Sequence, residues 1–82
     1  MWVPPRHYKV IGGCLAAARK RAELTQTDLA AKLGKPQSFV SDYERGQRRV
    51  DLLEFLRIVE VVGGDPRKLL DEIIRSLPRR RP

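Results

Sequence analysis

The apolar positions of the chain fall into five groups whose spacing follows the three-to-four residue period of a helix. Tyr8, Ile11, Leu15, Ala18 and Ala22 mark a first helix, with Gly12-Gly13 weakening its first turn. Leu29, Ala30 and Leu33 mark a second. It opens at Thr25, whose hydroxyl can accept free N–H groups of the first turn, and Asp28 three residues on completes a capping-box pattern. Gly34 follows, where a chain leaving a helix often takes a left-handed residue, and Pro36 is placed to open a third helix. At about 100° per residue, Phe39, Val40 and Tyr43 fall on one side of that helix, and Gln37, Ser38, Ser41 and Asp42 on the other. One face is predicted to be core, which leaves the polar face free for a partner.

Asp51 is a good N-cap for a fourth helix carrying Leu52, Leu53, Phe55, Leu56, Ile58, Val59, Val61 and Val62. Only Glu54, Arg57 and Glu60 interrupt it, so the helix is expected to be central in the bundle or shared with another subunit. Gly63-Gly64 ends it, and Asp65-Pro66 starts a fifth helix by setting a cap before an N1 proline. Leu69, Leu70, Ile73, Ile74 and Leu77 then span more than one narrow stripe. Part of that surface can cover the domain, while Leu70, Ile73, Ile74 and Leu77 are expected to meet a second copy of the chain. The pattern divides the sequence into an N-terminal arm at 1–7, a helical domain at 8–77 and a basic tail at 78–82.

At 82 residues the chain supports one domain with a small core, which favours a binding module over an enzyme. No nucleophile–base pair, metal-ligand set or phosphate-cradling glycine loop is recognisable, and no cofactor is expected. Seventeen Lys and Arg against ten Asp and Glu leave a formal charge of +7, which points to an anionic partner. Cys14 and His7 are each the single residue of their type, so a disulfide framework and a zinc site are both excluded within one chain. Cys14 is expected to be a small buried hydrophobe on the first helix. Ile11-Gly12-Gly13-Cys14 mimics a lipoprotein cleavage box, but the preceding segment carries prolines and charges where an apolar stretch is needed. No run is long enough to span a bilayer, and a cytoplasmic location is expected.

Arg19, Thr25-Gln26, Leu29-Ala30, Gly34, Val40-Ser41 and Tyr43-Glu44-Arg45-Gly46 together resemble the helix-turn-helix of the phage-repressor and Cro family, often called the Xre family. The resemblance runs from about Ile11 to Gly63. Lys35 stands where an apolar residue is usual in the turn, and Val50 where proline is common before the next helix. The likeness implies an all-α, five-helix bundle of the lambda-repressor-like type, with helices two and three forming the helix-turn-helix. It implies a transcriptional regulator that binds double-stranded DNA, a homodimeric repressor on a near-palindromic operator. The competing reading is a protein-interaction module, such as an antitoxin or regulator partner, in which DNA binding is secondary.

By the same resemblance Gln37, Ser38 and Asp42 face base edges, Gln26 meets a phosphate, and Arg19 pairs with Glu44 inside the domain. Chemistry supports several of these roles. The amide of Gln37 can donate and accept in one plane, matching adenine N6 and N7, and the hydroxyls of Ser38 and Ser41 take either role. A carboxylate such as Asp42 is repelled by phosphates unless it accepts from cytosine N4 or pairs with a nearby cation. Gln26 begins a helix whose free N–H groups and partial positive charge favour an anion. Arg45, Gln47, Arg48 and Arg49 follow the third helix, where side chains can reach phosphates at the groove edge. Arg6 and Lys9 near the arm, and Arg79 to Arg81 in the tail, are weaker candidates for non-specific DNA contact.

Overall fold

A computed structural model describes residues 4–78, and five α-helices account for most of them. They are α1 (Pro5–Arg21), α2 (Gln26–Leu33), α3 (Gln37–Glu44), α4 (Leu52–Val62) and α5 (Pro66–Ser76). The all-α, five-helix architecture is the one expected. The first three residues of the arm, and Arg79 to Arg81 of the tail, lie outside the described residues.

Local chemistry sets the helix ends. Thr25 Oγ1 accepts from Asp28 N–H at 3.0 Å while Asp28 Oδ2 accepts from Thr25 N–H at 3.0 Å, closing the capping box at the start of α2. These bonds hold the Asp28 carboxyl below its ordinary value, the backbone donor at Thr25 contributing most. A second box joins Asp51 and Glu54 at the start of α4, where only the Asp51 cap was expected. Asp65 caps α5 ahead of Pro66. Gly34 and Gly63 end α2 and α4 in the left-handed region, at φ 69° and 74°. The turn after α1 uses the same bonding pattern but places Glu23 at φ 58°, where glycine would be unstrained.

Two boundaries differ from the sequence reading. Helix α1 begins at Pro5, inside the expected arm, because Pro5 sits in the first turn where its missing N–H costs nothing. Pro36 is the N-cap of α3, one position before the expected N1, and its carbonyl accepts from Phe39 N–H at 3.0 Å.

Leu15, Leu29, Val40, Tyr43, Ile58 and Val59 are fully buried and join all of α1 to α4, and Leu69 and Ile73 bring in α5. Each such aliphatic side chain contributes about 1.5–3 kcal/mol by leaving water. The expectation that Ile73 lies at a subunit contact is corrected: it is 5% exposed and belongs to the core. Leu77 is half-buried against the same core. The reason is angular, since Leu69, Ile73 and Leu77 follow one i, i+4 line that α5 turns inward, while Leu70 and Ile74 lie on the next line and stay exposed. Of the two placements expected for helix α4, a wholly central one is not seen. Phe55, Ile58 and Val59 point inward, whereas Leu52, Leu53 and Leu56 are exposed. Cys14 is half-buried at the edge of the core, with Sγ 3.9 Å from Ser76 Oγ.

Helices α1 and α3 approach closely because α1 offers a glycine at the crossing. Gly12 is buried, and a Cβ there would lie 2.1 Å from the carbonyl oxygen of Tyr43. Gly46, at φ 76°, similarly meets the backbone of Lys9. This crossing fixes the end of α3 on α1.

Tyr43 lies in that crossing, and burial pushes its phenol well above the ordinary value of 10.0, helped by the charge of Glu44. The unfolded chain therefore releases this proton first as pH rises. The stabilisation is intact below pH 10.0 and is lost progressively above it. Tyr43→Phe should keep the fold and move the alkaline midpoint of unfolding upward. An alkaline limb identical in both proteins would assign that transition to other groups.

Candidate nucleic-acid interface

Helix α3 has eight residues and is about 12 Å long, a size that the major groove accommodates. Val40 and Tyr43 anchor it inward. Gln37 and Ser38 are exposed on the opposite face, with Ser41 and Asp42 half-exposed beside them. The split of faces expected from the sequence is thus present in the structure.

The orientation of that polar face traces back to an ion pair. Arg19 Nε donates to Glu44 Oε2 at 2.7 Å and Arg19 Nη2 to Glu44 Oε1 at 3.0 Å, a two-pronged contact between side chains only 9% and 6% exposed. Arg19 Nη1 also donates to the Leu24 carbonyl at 2.7 Å, so one guanidinium ties α1, the α1–α2 turn and the end of α3. The hydrogen bonds to Glu44 hold Arg19 above its ordinary pKa against the opposing cost of burial.

Gln26, at the first position of α2, extends the chain of contacts. Its Nε2 donates to Glu44 Oε1 at 2.9 Å, and its Oε1 accepts from Gln37 Nε2 at 2.7 Å. The amide expected to face a phosphate is therefore engaged inside the protein, between the ion pair and the first polar residue of α3. Among the described residues Gln37 Oε1 and the second N–H of Nε2 have no side-chain partner, and these are the pair of groups that an adenine edge requires. No sequence spacing announces this link, because Gln26 and Gln37 are joined only by the packing of α2 on α3.

Asp42, for which base reading and pairing with a nearby cation were both open, is paired: its Oδ1 accepts from Arg45 Nη2 at 2.8 Å. One carboxylate oxygen is occupied and its charge is balanced by a cation one helical turn on. In the following loop, Arg48 Nη2 donates to Glu54 Oε2 at 2.6 Å, and its guanidinium lies 4.5 Å from the centroid of the Phe39 ring. Arg49 sits over the Tyr8 ring at 5.5 Å. Gln47 is exposed, its N–H donating to the Asp42 carbonyl at 2.8 Å. Phe39, Tyr8 and Glu54 carry no such role in the sequence reading. Their signal was hidden, since each looks like an ordinary core or capping residue when read along its own helix.

Among the described residues no helix is long and apolar enough to cross a membrane. The same residues contain no group of three or more potential metal ligands.

Comparison with known proteins identifies the family and the fold. A helix-turn-helix family model matches residues 15–69. The structure is similar to that of an XRE-family like protein from Pseudomonas syringae pv. tomato str. DC3000, at 41% identity and a TM-score of 0.76 over 89% of each chain. It is similar to the restriction-modification controller protein C.AhdI from Aeromonas hydrophila, at 34% identity and a TM-score of 0.69, over 76% of this chain and 94% of that one. The clp gene regulator ClgR from C. glutamicum shares the fold at 20% identity and a TM-score of 0.81, over 90% of this chain and 96% of that one. No curated protein matches the chain. With more than half of the chain covered by the family model, the protein belongs to the Cro/C1-type, or Xre, helix-turn-helix family of DNA-binding transcription regulators, which are not enzymes.

Proposed function

We propose that the protein is a cytoplasmic, sequence-specific repressor that binds a near-palindromic operator as a homodimer and acts by occupying a promoter. The observation that carries this reading is the exposed amide of Gln37, held by Gln26 and through it by the buried Arg19–Glu44 pair. A reader fixed before DNA arrives loses less side-chain freedom on binding. Gln37 reads an adenine edge, Ser38 and Ser41 read neighbouring bases, and Asp42 offers its second oxygen to cytosine N4 while holding Arg45. Arg45, Gln47, Arg48 and Arg49 grip phosphates along the groove edge. Gln26 supports Gln37 and meets the backbone with the N-terminus of α2. The 34% identity to a restriction-modification controller protein supports a regulatory role for a chain of this build.

Removing the amide tests the reader. Gln37→Ala should cost about 1–3 kcal/mol on the selected operator and relax one position of it, with little change on random DNA. Equal losses on both would remove Gln37 from base reading.

The homodimer rests on exposed apolar side chains at i, i+4 spacing on two helices that pack together: Leu52 and Leu56 on α4, and Leu70 and Ile74 on α5. Two copies can bury these faces and set their α3 helices about 34 Å apart, one turn of DNA. Ile74 is 61% exposed, so Ile74→Glu should leave the fold intact and yield monomers with weakened operator binding. Light scattering that finds the wild type monomeric at high concentration, free and on DNA, would rule the dimer out.

A further inference from the structure

We propose that Phe39 and Tyr8 are positioning residues, aromatic platforms that hold Arg48 and Arg49 in place for DNA phosphates before DNA arrives. The proposal deepens the reading of the α3–α4 loop as a phosphate grip and rests on it.

Arg48 is held from two directions. Its guanidinium faces the Phe39 ring at 4.5 Å, and Nη2 donates to Glu54 Oε2 at 2.6 Å. Glu54 is itself fixed, since its Oε1 accepts from Asp51 N–H at 3.0 Å in the capping box of α4. The Phe39 ring is fixed as well, meeting the Tyr43 ring edge-on with centroids 5.6 Å apart. Tyr43 is fully buried, so the platform is anchored directly in the core. Arg49, the next residue, turns to the other side of the loop and lies over Tyr8 of α1 at 5.5 Å. Two consecutive arginines are thus splayed onto two rings supplied by two different helices.

The chemistry of the guanidinium makes this arrangement useful. A ring attracts the cation through its face and leaves the N–H groups, which lie in the guanidinium plane, directed outward. Those N–H groups are the ones that bind phosphate oxygens in pairs. Long arginine side chains otherwise lose considerable rotamer freedom when they bind, and a platform removes part of that cost in advance. Phe39 lies at the edge of α3 between the core face and the base-reading face, so the platform is placed where the groove edge begins. Lys35, 5.5 Å from the same ring, adds a second cation on this side.

The test separates positioning from charge. Phe39 lines an apolar groove of about 230 Å³ with Leu33, Leu53 and Ile58, so leucine can replace it without leaving a polar group buried. Binding of the wild type, Phe39→Leu, Arg48→Ala and the double variant to a short random-sequence duplex is measured across a salt series, with circular dichroism to confirm folding. Arg48→Ala should flatten the salt slope by about one unit, because one phosphate neutralisation is lost. Phe39→Leu should keep the wild-type slope while lowering affinity about two- to five-fold, the range of an exposed cation–π contact. The double variant should bind no more weakly than Arg48→Ala alone. Phe39→Tyr retains a ring and should restore affinity, and it carries the test if the leucine variant fails to fold. An unchanged slope in Arg48→Ala would remove the phosphate role of Arg48, and the platform with it. A flattened slope with additive losses in the double variant, or with full affinity in Phe39→Leu, would overturn the platform alone.

Discussion

Gly12→Ala is expected to destabilise the protein by about 3 kcal/mol, whereas the same change at the adjacent Gly13 is expected to stabilise it by about 0.5–1 kcal/mol. Both glycines lie inside α1, and a helix interior favours alanine. Their surroundings decide the sign. A Cβ on Gly13 meets nothing within 4 Å, so the helix keeps the full gain. A Cβ on Gly12 would lie 2.1 Å from the Tyr43 carbonyl oxygen and 2.6 Å from that of Glu44. These are backbone atoms, which have no rotamer to escape into. The end of α3 must move away from α1, which loosens the burial of Tyr43 and stretches the Arg19–Glu44 pair. A domain of this size has a total stability of about 4–12 kcal/mol, so the loss is a large fraction of it. Urea unfolding of the two variants beside the wild type gives the answer. Midpoints that shift in the same direction would mean that the close crossing of α1 and α3 is wrong.

Breaking the Arg19–Glu44 pair from either side should cost up to about 3–5 kcal/mol, because the partner left behind is a charge largely withdrawn from water. Arg19→Ala also leaves the Leu24 carbonyl without its donor. The loss should not be confined to stability. Glu44 Oε1 anchors Gln26, and Gln26 anchors Gln37, so removing Glu44 frees the proposed reader. A double replacement, Arg19→Met with Glu44→Leu, separates the two effects. Apolar side chains of similar volume can recover most of the stability of a buried ion pair. They offer no acceptor to Gln26. The double variant should therefore be more stable than either single variant, short of the wild type by the lost bond to the Leu24 carbonyl, yet discriminate less between operator and random DNA. Full discrimination in a stable double variant would show that the ion pair is architectural only.

Much of this architecture is legible in single residues read with their neighbours. Thr25 with Asp28, Gly34, Asp51, and Asp65 with Pro66 mark helix ends by local hydrogen bonding and backbone preference, and these are properties of a few consecutive positions. The two faces of α3 are equally local, since a turn of helix fixes which side chains share a side. What the sequence reading missed depends on contacts between helices. Gly12 reads as a weak helical residue, although its spacing to Leu15 and Arg19 already puts it on the inward line of α1. A glycine on an inward line signals a close approach. Ile73 and Ile74 are indistinguishable by composition, and only the rotation of α5 against α1 decides that one is core and the other surface. The partners of the Gln26 amide, Glu44 and Gln37, are set by the packing of α2 on α3, which hydropathy does not encode, whereas Asp42 and Arg45 lie within one helical turn and their pairing is open to a reading along the chain.

The most direct test of sequence-specific reading by α3 is to select bound duplexes from a random DNA pool with the wild-type protein and sequence what is retained. Reading by α3 in a dimer predicts two inverted half-sites with centres about 10 base pairs apart, each holding one adenine whose preference disappears when the selection is repeated with Gln37→Ala. A retained pool with no enriched sequence, held only by salt-sensitive contacts, would contradict it.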